Sequence, residues 1–343
     1  MVAVRPPAID DPRPMSTARL TPVVRLAPAK LNLTLAVIGR RADGFHDLHS
    51  VFLSLALADR LSLAPYGATD GRTDTLHVTG PNTGPMADNL VLRGIAAARA
   101  AVGEGPGRPP TPPLAARLDK RIPVAAGLAG GSSDGAAAFD GALEAWGADL
   151  EPERRAQAAA SIGSDVPFFL VGGPALIEGR GDRVTPLAAI RGTPGILLVT
   201  PDVAVRTPDV FAVFDAIRTA GDASVRMTSE HLAQELAGGL SGADLVARAG
   251  VLAAANDLLP AAILVEQGLV GVRRALTRTL GRPIGLSGSG PTLWALYPSE
   301  EQAGVAADVV RAALESGAIP AVGGQPPAIN VTTIVSRNEE TAT

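Results

Sequence analysis

Ile122-Pro-Val-Ala-Ala-Gly-Leu-Ala-Gly-Gly-Ser-Ser-Asp134 is the stretch on which the reading of this chain turns. A short approach, Arg121 to Val124, runs into Gly127, Gly130 and Gly131. Two serines follow, then an alanine-rich run from Gly135 to Trp146 that reads as a helix. Glycines let backbone N–H groups converge in conformations that a Cβ blocks. A helix N-terminus behind them adds unpaired donors and a partial positive charge. Together these hold phosphate oxygens, which makes nucleotide use the leading expectation. No Gly-Lys-Ser/Thr closes the loop, so it is not a Walker A loop, and it lacks the G-x-G-x-x-G spacing of a dinucleotide fold. A purely structural turn before a helix is the competing reading.

Composition narrows the classes. The 343 residues suffice for two ordinary domains, and 46% of them are hydrophobic, enough for a substantial core. The net charge is −4 with no basic block, which argues against a nucleic-acid partner. Cysteine is absent, so disulfides and thiolate metal sites are excluded. Four scattered histidines (His46, His49, His77, His231) do not make a metal site. There is no apolar run of transmembrane length and no signal peptide, so a cytoplasmic protein without a membrane partner is expected. Of the 30 basic residues, only Lys30 and Lys120 are lysine. Where arginine is the habitual cation, a lysine hints that a compact, rotatable ammonium is needed.

Along the chain, residues 1–19 read as a disordered tail. Val23 to Ala27 and Leu31 to Ile38 read as strand on either side of Pro28. Alternation there puts Lys30, Asn32 and Thr34 on one face and Leu31, Leu33 and Leu35 on the other. Val51 to Leu63, Thr75 to Thr79 and Leu114 to Leu118 also read as strands. Asn89 to Val102 reads as a helix with Asp88 as its cap, and Pro152 to Ile162 as another. Residues 103–113, with five prolines and three glycines, form a loop. Further on, Ile196 to Val199 is a buried strand, Thr207 to Ala220 a helix and Gly221 to Glu230 a linker. Helices from Glu230 to Leu236, Ala243 to Val251 and Val265 to Leu280 follow. A second glycine loop, Gly285 to Pro291, runs into a strand, then a helix from Glu300 to Glu315 and a closing strand from Ala328 to Val335. Interleaved strands and helices with a glycine loop in each half suggest an α+β protein with a ligand cleft between two domains.

Three motifs in this order resemble the signatures of the GHMP kinase superfamily. They are Pro28-Ala-Lys-Leu-Asn-Leu33, the Pro123 to Ser133 loop, and Leu286-Ser-Gly-Ser-Gly-Pro-Thr292. Arg41-Ala-Asp-Gly-Phe-His46 and Gly163-Ser-Asp-Val-Pro-Phe-Phe169 are similar to the pattern of the 4-diphosphocytidyl-2-C-methyl-D-erythritol kinase family. The resemblance spans about residues 22–336. It implies a two-domain GHMP fold: a domain like domain 2 of ribosomal protein S5 over residues 20–185, and a ferredoxin-like domain over 186–337. A second tail would occupy 338–343.

The implied activity is transfer of the ATP γ-phosphoryl to the 2-hydroxyl of the methylerythritol moiety, in the non-mevalonate route to isoprenoid precursors. Lys30 and Asp165 match the catalytic pair. The ATP phosphates would lie along Pro123, Val124, Ala125, Ala126, Gly127, Leu128, Ala129, Gly130, Gly131, Ser132 and Ser133. Asn32, Phe45, His46, Thr207 and Phe211 would hold the cytidyl substrate. In that arrangement Phe45 and Phe211 clamp the base and His46 reads its edge. Phe45 stands where the family often has tyrosine, so stacking survives but a phenol hydrogen bond does not. Magnesium would accompany ATP, with Ser133 as a hydroxyl ligand or γ-phosphate contact and the other ligands unassigned. The expected state is monomer or homodimer. The alternatives are a mevalonate- or homoserine-type kinase of the same superfamily and a catalytically silent nucleotide-binding protein on the same fold. A dinucleotide enzyme using Gly285–Gly290 is disfavoured, because those glycines lead into a strand rather than a helix.

Overall fold

A computed structural model describes residues 22–66, 73–103, 107, 109–217 and 221–335 of the chain. The expected tails, 1–19 and 338–343, lie outside the described residues. In the first half, β1 (Val23–Asn32), β2 (Ala36–Arg40) and the 20-residue β3 (His46–Pro65) are followed by β4 (Thr75–Thr79), α1 (Leu90–Val102) and β5 (Leu114–Asp119). Then come α2 (Gly130–Trp146), α3 (Pro152–Ile162), α4 (Val166–Val171), β6 (Ala175–Gly179) and β7 (Arg183–Pro186). The seven strands form one sheet in the order β4-β5-β3-β6-β7, with β1 and β2 also on β3. β3 is the spine: it pairs antiparallel with β1, β2, β5 and β6.

The second half holds β8 (Gly195–Thr200), α5 (Thr207–Ile217), α6 (Ala223–Ala237), α7 (Gly242–Ala247), α8 (Ala249–Leu252), α9 (Leu259–Val265) and α10 (Gly268–Leu280). It ends with β9 (Gly285–Leu286), β10 (Leu293–Tyr297), α11 (Glu300–Glu315) and β11 (Ala328–Thr333). The sheet order is β11-β8-β10-β9, all neighbours antiparallel. Fourth, first, third, second is the ferredoxin-like strand order, and the chain is an α+β protein.

Leu31, Leu33, Val51, Leu53 and Leu55 of the first sheet share one core with Ile196, Leu198, Trp294 and Leu296 of the second. Leu232, Leu236 and Leu252 close it. Each of these large side chains contributes roughly 2 kcal/mol by leaving water. A separate core lies between the first sheet and α1 and α2, around Ile95, Phe139 and Trp146. Those helices approach closely because Gly94 faces Gly135; a Cβ on Gly94 would lie 2.4 Å from the Gly135 carbonyl oxygen.

Several local expectations give way to tertiary context. β1 runs through Pro28, with a register shift between Pro28 and Lys30 in place of a break, and it ends at Asn32. Thr34 therefore leaves the Lys30 face; its hydroxyl shares a hydrogen bond with Ser229 Oγ at 2.7 Å. α1 is capped by Asn89, whose side chain accepts from the Val91 N–H at 3.0 Å, while Asp88 sits in a preceding 3-10 turn. The segment read as a linker after Gly221 is mostly α6, capped by the Asp222 side chain. The helix expected over Ala243 to Val251 divides into two, and α9 precedes the one expected from Val265. α5 is described to Ile217, and 218–220 of the expected helix lie outside the described residues.

α2 begins at Gly130, five residues before the alanine run. Ala129 precedes it at φ 53°, and Ala125 has the same φ. Left-handed backbone costs an alanine roughly 1–2 kcal/mol. Strain of this kind gathers at ligand-binding loops.

Candidate active site

A cleft of about 950 Å³ opens between the two halves, and its walls come from both. β1 supplies Lys30 and Asn32. Alternation along the strand sends Leu31 into the shared core and its two neighbours into the cleft. Lys30 is only 4% exposed. Its Nζ donates to Asn32 Oδ1 at 2.5 Å and to the Gly127 carbonyl at 2.9 Å. The Phe52 ring lies 4.8 Å from the ammonium. Asp165 Oδ2 stands 4.0 Å from it. Burial lowers the Lys30 pKa from the ordinary lysine value, and Asp165 pulls it partly back.

Asp165 immediately precedes α4, yet its side chain makes no capping hydrogen bond. The carboxylate is 30% exposed, at the cleft wall. A capping role thus does not account for it.

The two glycine loops touch. Ser287 Oγ donates to the Gly127 carbonyl at 3.0 Å, and the Thr292 N–H donates to the Ala126 carbonyl at 3.3 Å. Asn256 secures the second loop, its Nδ2 donating to the carbonyls of Leu286 at 3.0 Å and Gly288 at 2.9 Å. Asp257 accepts the N–H groups of Val37 and Asp222, both at 2.9 Å. Both residues act as braces. Thr207, at the start of α5, shares a hydrogen bond with Ser289 Oγ at 2.9 Å and so faces the cleft.

Of the expected phosphate-loop residues, Pro123 to Gly127 and Ala129 to Ser132 line the cleft, whereas Leu128 and Ser133 do not. Leu128 packs into the shared core at 1% exposure. Ser133 falls inside the first turn because the helix starts early. Its hydroxyl is buried without a hydrogen-bond partner among the described residues and borders a smaller cavity behind α2. Ser132 lines the cleft.

His46 Nε2 is 2.7 Å from Asp215 Oδ1, and the imidazole stacks on Phe211 with ring centres 4.6 Å apart and planes at 20°. Phe211 and Asp215 lie four apart on α5, so one helix face meets the imidazole with both a ring and a carboxylate. Phe45 is 49% exposed, and the Arg180 guanidinium lies 5.6 Å from its ring centre. The ring lying against Phe211 is His46, and all three of Phe45, His46 and Phe211 line the cleft. Successive residues of an extended chain point to opposite sides.

Sequence reasoning missed the floor of the site. Lys120 Nζ bridges Asp59 Oδ2 and Asp134 Oδ2, the latter at 2.8 Å, and both Lys120 and Asp134 line the cleft. Asp59 Oδ1 also accepts the N–H groups of Arg121 at 2.5 Å and Ile122 at 2.8 Å, which ties the start of the loop to β3. The scarcity of lysine was the one available signal. Arg180, Arg206 and Asp215 in the cleft wall were missed as well.

Among the described residues no group of three or more His, Cys, Asp or Glu side chains could hold a metal ion. No helix of the described residues is long and apolar enough to cross a membrane.

Residues 89–173 match the model of the GHMP kinases N-terminal domain. A 4-diphosphocytidyl-2-C-methyl-D-erythritol kinase of Nocardia farcinica is 39% identical over 311 residues, covering 89% of this chain and 95% of the relative. One from Paramagnetospirillum magneticum is 36% identical over 292 residues, 84% of this chain and 93% of its own. A crystal structure of 4-(cytidine 5'-diphospho)-2C-methyl-D-erythritol kinase superposes with a TM-score of 0.66 at 30% identity, covering 91% of this chain and 99% of that one. The homoserine kinase of Cytophaga hutchinsonii, at 17% identity and a TM-score of 0.65, covers 94% of this chain and 96% of its own and shares the fold alone. The conjunction of these relatives with the two glycine loops around one cleft leads to a single family assignment: the chain belongs to the GHMP kinases, in the 4-diphosphocytidyl-2-C-methyl-D-erythritol kinase family.

Proposed function

We propose that this chain uses ATP to phosphorylate the 2-hydroxyl of 4-diphosphocytidyl-2-C-methyl-D-erythritol, a step toward isoprenoid precursors. The observation that carries the reading is the Lys30–Asp165 approach of 4.0 Å, beside a glycine loop at a helix N-terminus. Asp165 accepts the hydroxyl proton as the oxygen attacks the γ-phosphorus. The new P–O bond forms as the bond to the β-phosphate oxygen breaks, and ADP leaves. Such transition states are loose, so positioning and charge stabilisation supply most of the rate. The Lys30 ammonium, fixed by Asn32 and the Gly127 carbonyl, favours the ionised alcohol and offsets charge on the moving phosphoryl.

Backbone N–H groups from Gly127 to Ser132 and the α2 N-terminus receive the ATP phosphates. Magnesium would accompany ATP and would offset charge on its phosphates. Phe45, His46 and Phe211, with Thr207 and Asn32, receive the cytidyl substrate. With His46 already against Phe211, the base stacks on the exposed Phe45 or displaces the imidazole. Residues 20–185 and 186–337 act as the two domains around the cleft. The enzyme works in the cytoplasm, as a monomer or homodimer.

Initial rates with the cytidyl substrate, mevalonate and homoserine at equal ATP test the reading. The cytidyl substrate gives the highest kcat/KM; faster phosphorylation of either of the others refutes the assignment of substrate.

A further inference from the structure

His46 and Asp215 come from different halves of the chain and meet in the cleft wall. β2 and β3 pair so that Arg40 lies opposite His46, and α5 brings Phe211 and Asp215 against them. The tip of that hairpin is tied down. Asp43 Oδ1 accepts the Phe45 N–H at 3.1 Å, and the Arg41 N–H donates to the Phe45 carbonyl at 2.8 Å. His46 is 8% exposed, so its ring has little freedom. One face stacks on Phe211, and the Phe214 ring stands nearly at right angles with its centre 6.1 Å away. Nε2 is engaged by Asp215 Oδ1 at 2.7 Å. Arg40 Nη1 lies 3.5 Å from the other oxygen of that carboxylate, so it steadies Asp215 without competing for Nε2.

A carboxylate accepts and cannot donate, so the hydrogen of this pair sits on Nε2. The neutral imidazole then carries its lone pair on Nδ1. That nitrogen has no hydrogen-bond partner among the described residues, and His46 lines the cleft. An imidazole held on one face by a ring and at Nε2 by a carboxylate meets a bound base through its Nδ1 edge.

We propose that Asp215 is a positioning residue for base recognition: by holding the hydrogen on Nε2 of His46, it leaves Nδ1 as an acceptor that pairs with the exocyclic amino group of cytosine and rejects the carbonyl of uracil. The inference rests on the substrate reading above and adds to it a residue that decides the choice of base. Cytosine and uracil have nearly the same shape and differ at that position by an amino donor in place of a carbonyl acceptor. Stacking on an aromatic ring hardly tells them apart, because every base has a π-face. A fixed acceptor does, since a carbonyl set against Nδ1 leaves two acceptors unpaired away from water.

The test compares kcat/KM of the full chain for the cytidyl substrate and for its uridine counterpart. ATP is saturating and the pH is about 8, where an ordinary histidine is neutral. The wild type prefers the cytidyl compound by on the order of tenfold to a hundredfold. Asp215→Asn keeps the size of the side chain, but its amide both donates and accepts, so it satisfies either tautomer of His46. The preference then falls to within about threefold, while kcat with the cytidyl compound and KM for ATP stay within about twofold of wild type. Nitrogen-15 spectra of ring-labelled histidine supply the second readout, with the His46 signals assigned by their loss in His46→Gln. The wild type shows the Nε2–H tautomer, and Asp215→Asn shows a mixture or the Nδ1–H form. This measurement on the wild type stands even if the amide variant fails to fold. An imidazolium or an Nδ1–H tautomer in the wild type overturns the inference. So does a preference for cytosine that survives in Asp215→Asn, with both rates falling together, because that is the mark of a structural role only. Failure of the wild type to phosphorylate either compound refutes the substrate reading itself; turnover of the cytidyl compound with no preference over the uridyl one refutes this inference alone.

Discussion

Gly127→Ala probes the contact between the two glycine loops. Gly127 has φ +76°, and a Cβ built there would lie 2.4 Å from the Ser287 carbonyl oxygen and 2.9 Å from that of Gly290. Both obstacles are backbone, so neither swings aside as a flexible side chain would. Restoring ordinary contact requires the loops to part by about 1 Å. The Gly127 carbonyl travels with that shift, and it is the acceptor for Lys30 Nζ at 2.9 Å and Ser287 Oγ at 3.0 Å. Lys30 then loses its fixed place beside Asp165. A displacement of about 1 Å at reacting groups costs on the order of 10²-fold in rate. That corresponds to about 2.7 kcal/mol of transition-state stabilisation. Left-handed backbone costs alanine roughly 1–2 kcal/mol, which lowers Tm by about 1–3 °C in a chain of this size and leaves it folded at 25 °C. The assay is initial rate with the cytidyl substrate at saturating ATP, coupled to ADP release, with a thermal melt of the same sample. A folded Gly127→Ala enzyme within about threefold of wild-type kcat/KM would show that the Lys30 placement does not depend on this loop contact.

Asp165→Asn keeps ATP affinity within a few-fold but lowers kcat by about 10²-fold or more, as loss of a general base predicts; near-normal turnover removes Asp165 from the chemistry. Phe45→Ala raises KM for the cytidyl substrate and leaves KM for ATP nearly unchanged, as expected if the exposed ring, which lines the cleft, stacks on the base as proposed. An equal effect on both constants moves Phe45 out of the substrate site.

Much of the molecule was legible from local pattern. The helix Glu300–Glu315 and the strand Thr75–Thr79 have the bounds that periodicity gave them, since both follow one uninterrupted pattern between clear stops. The glycine loop, the Lys30–Asn32 alternation and the α5 position of Phe211 were readable for the same reason. Elements that depend on distant partners were not. β1 passes through Pro28 because β3 holds it on one side. α6 extends into a segment that looked like a linker because Leu232, Ala233 and Leu236 fill the shared core.

The amino-acid order by itself determined the family, the α+β class and the residue types available for phosphoryl transfer, because motif spacing and hydrophobic period are properties of neighbouring residues. Only the folded chain decided which charges meet. Lys30 faces Asp165 and Lys120 joins Asp59 to Asp134 because β1, β3, β5 and α2 converge under one loop. Ser133 turns inward and His46 takes the ring of Phe211 because side-chain direction follows from where a helix or strand begins, and that start is fixed by packing.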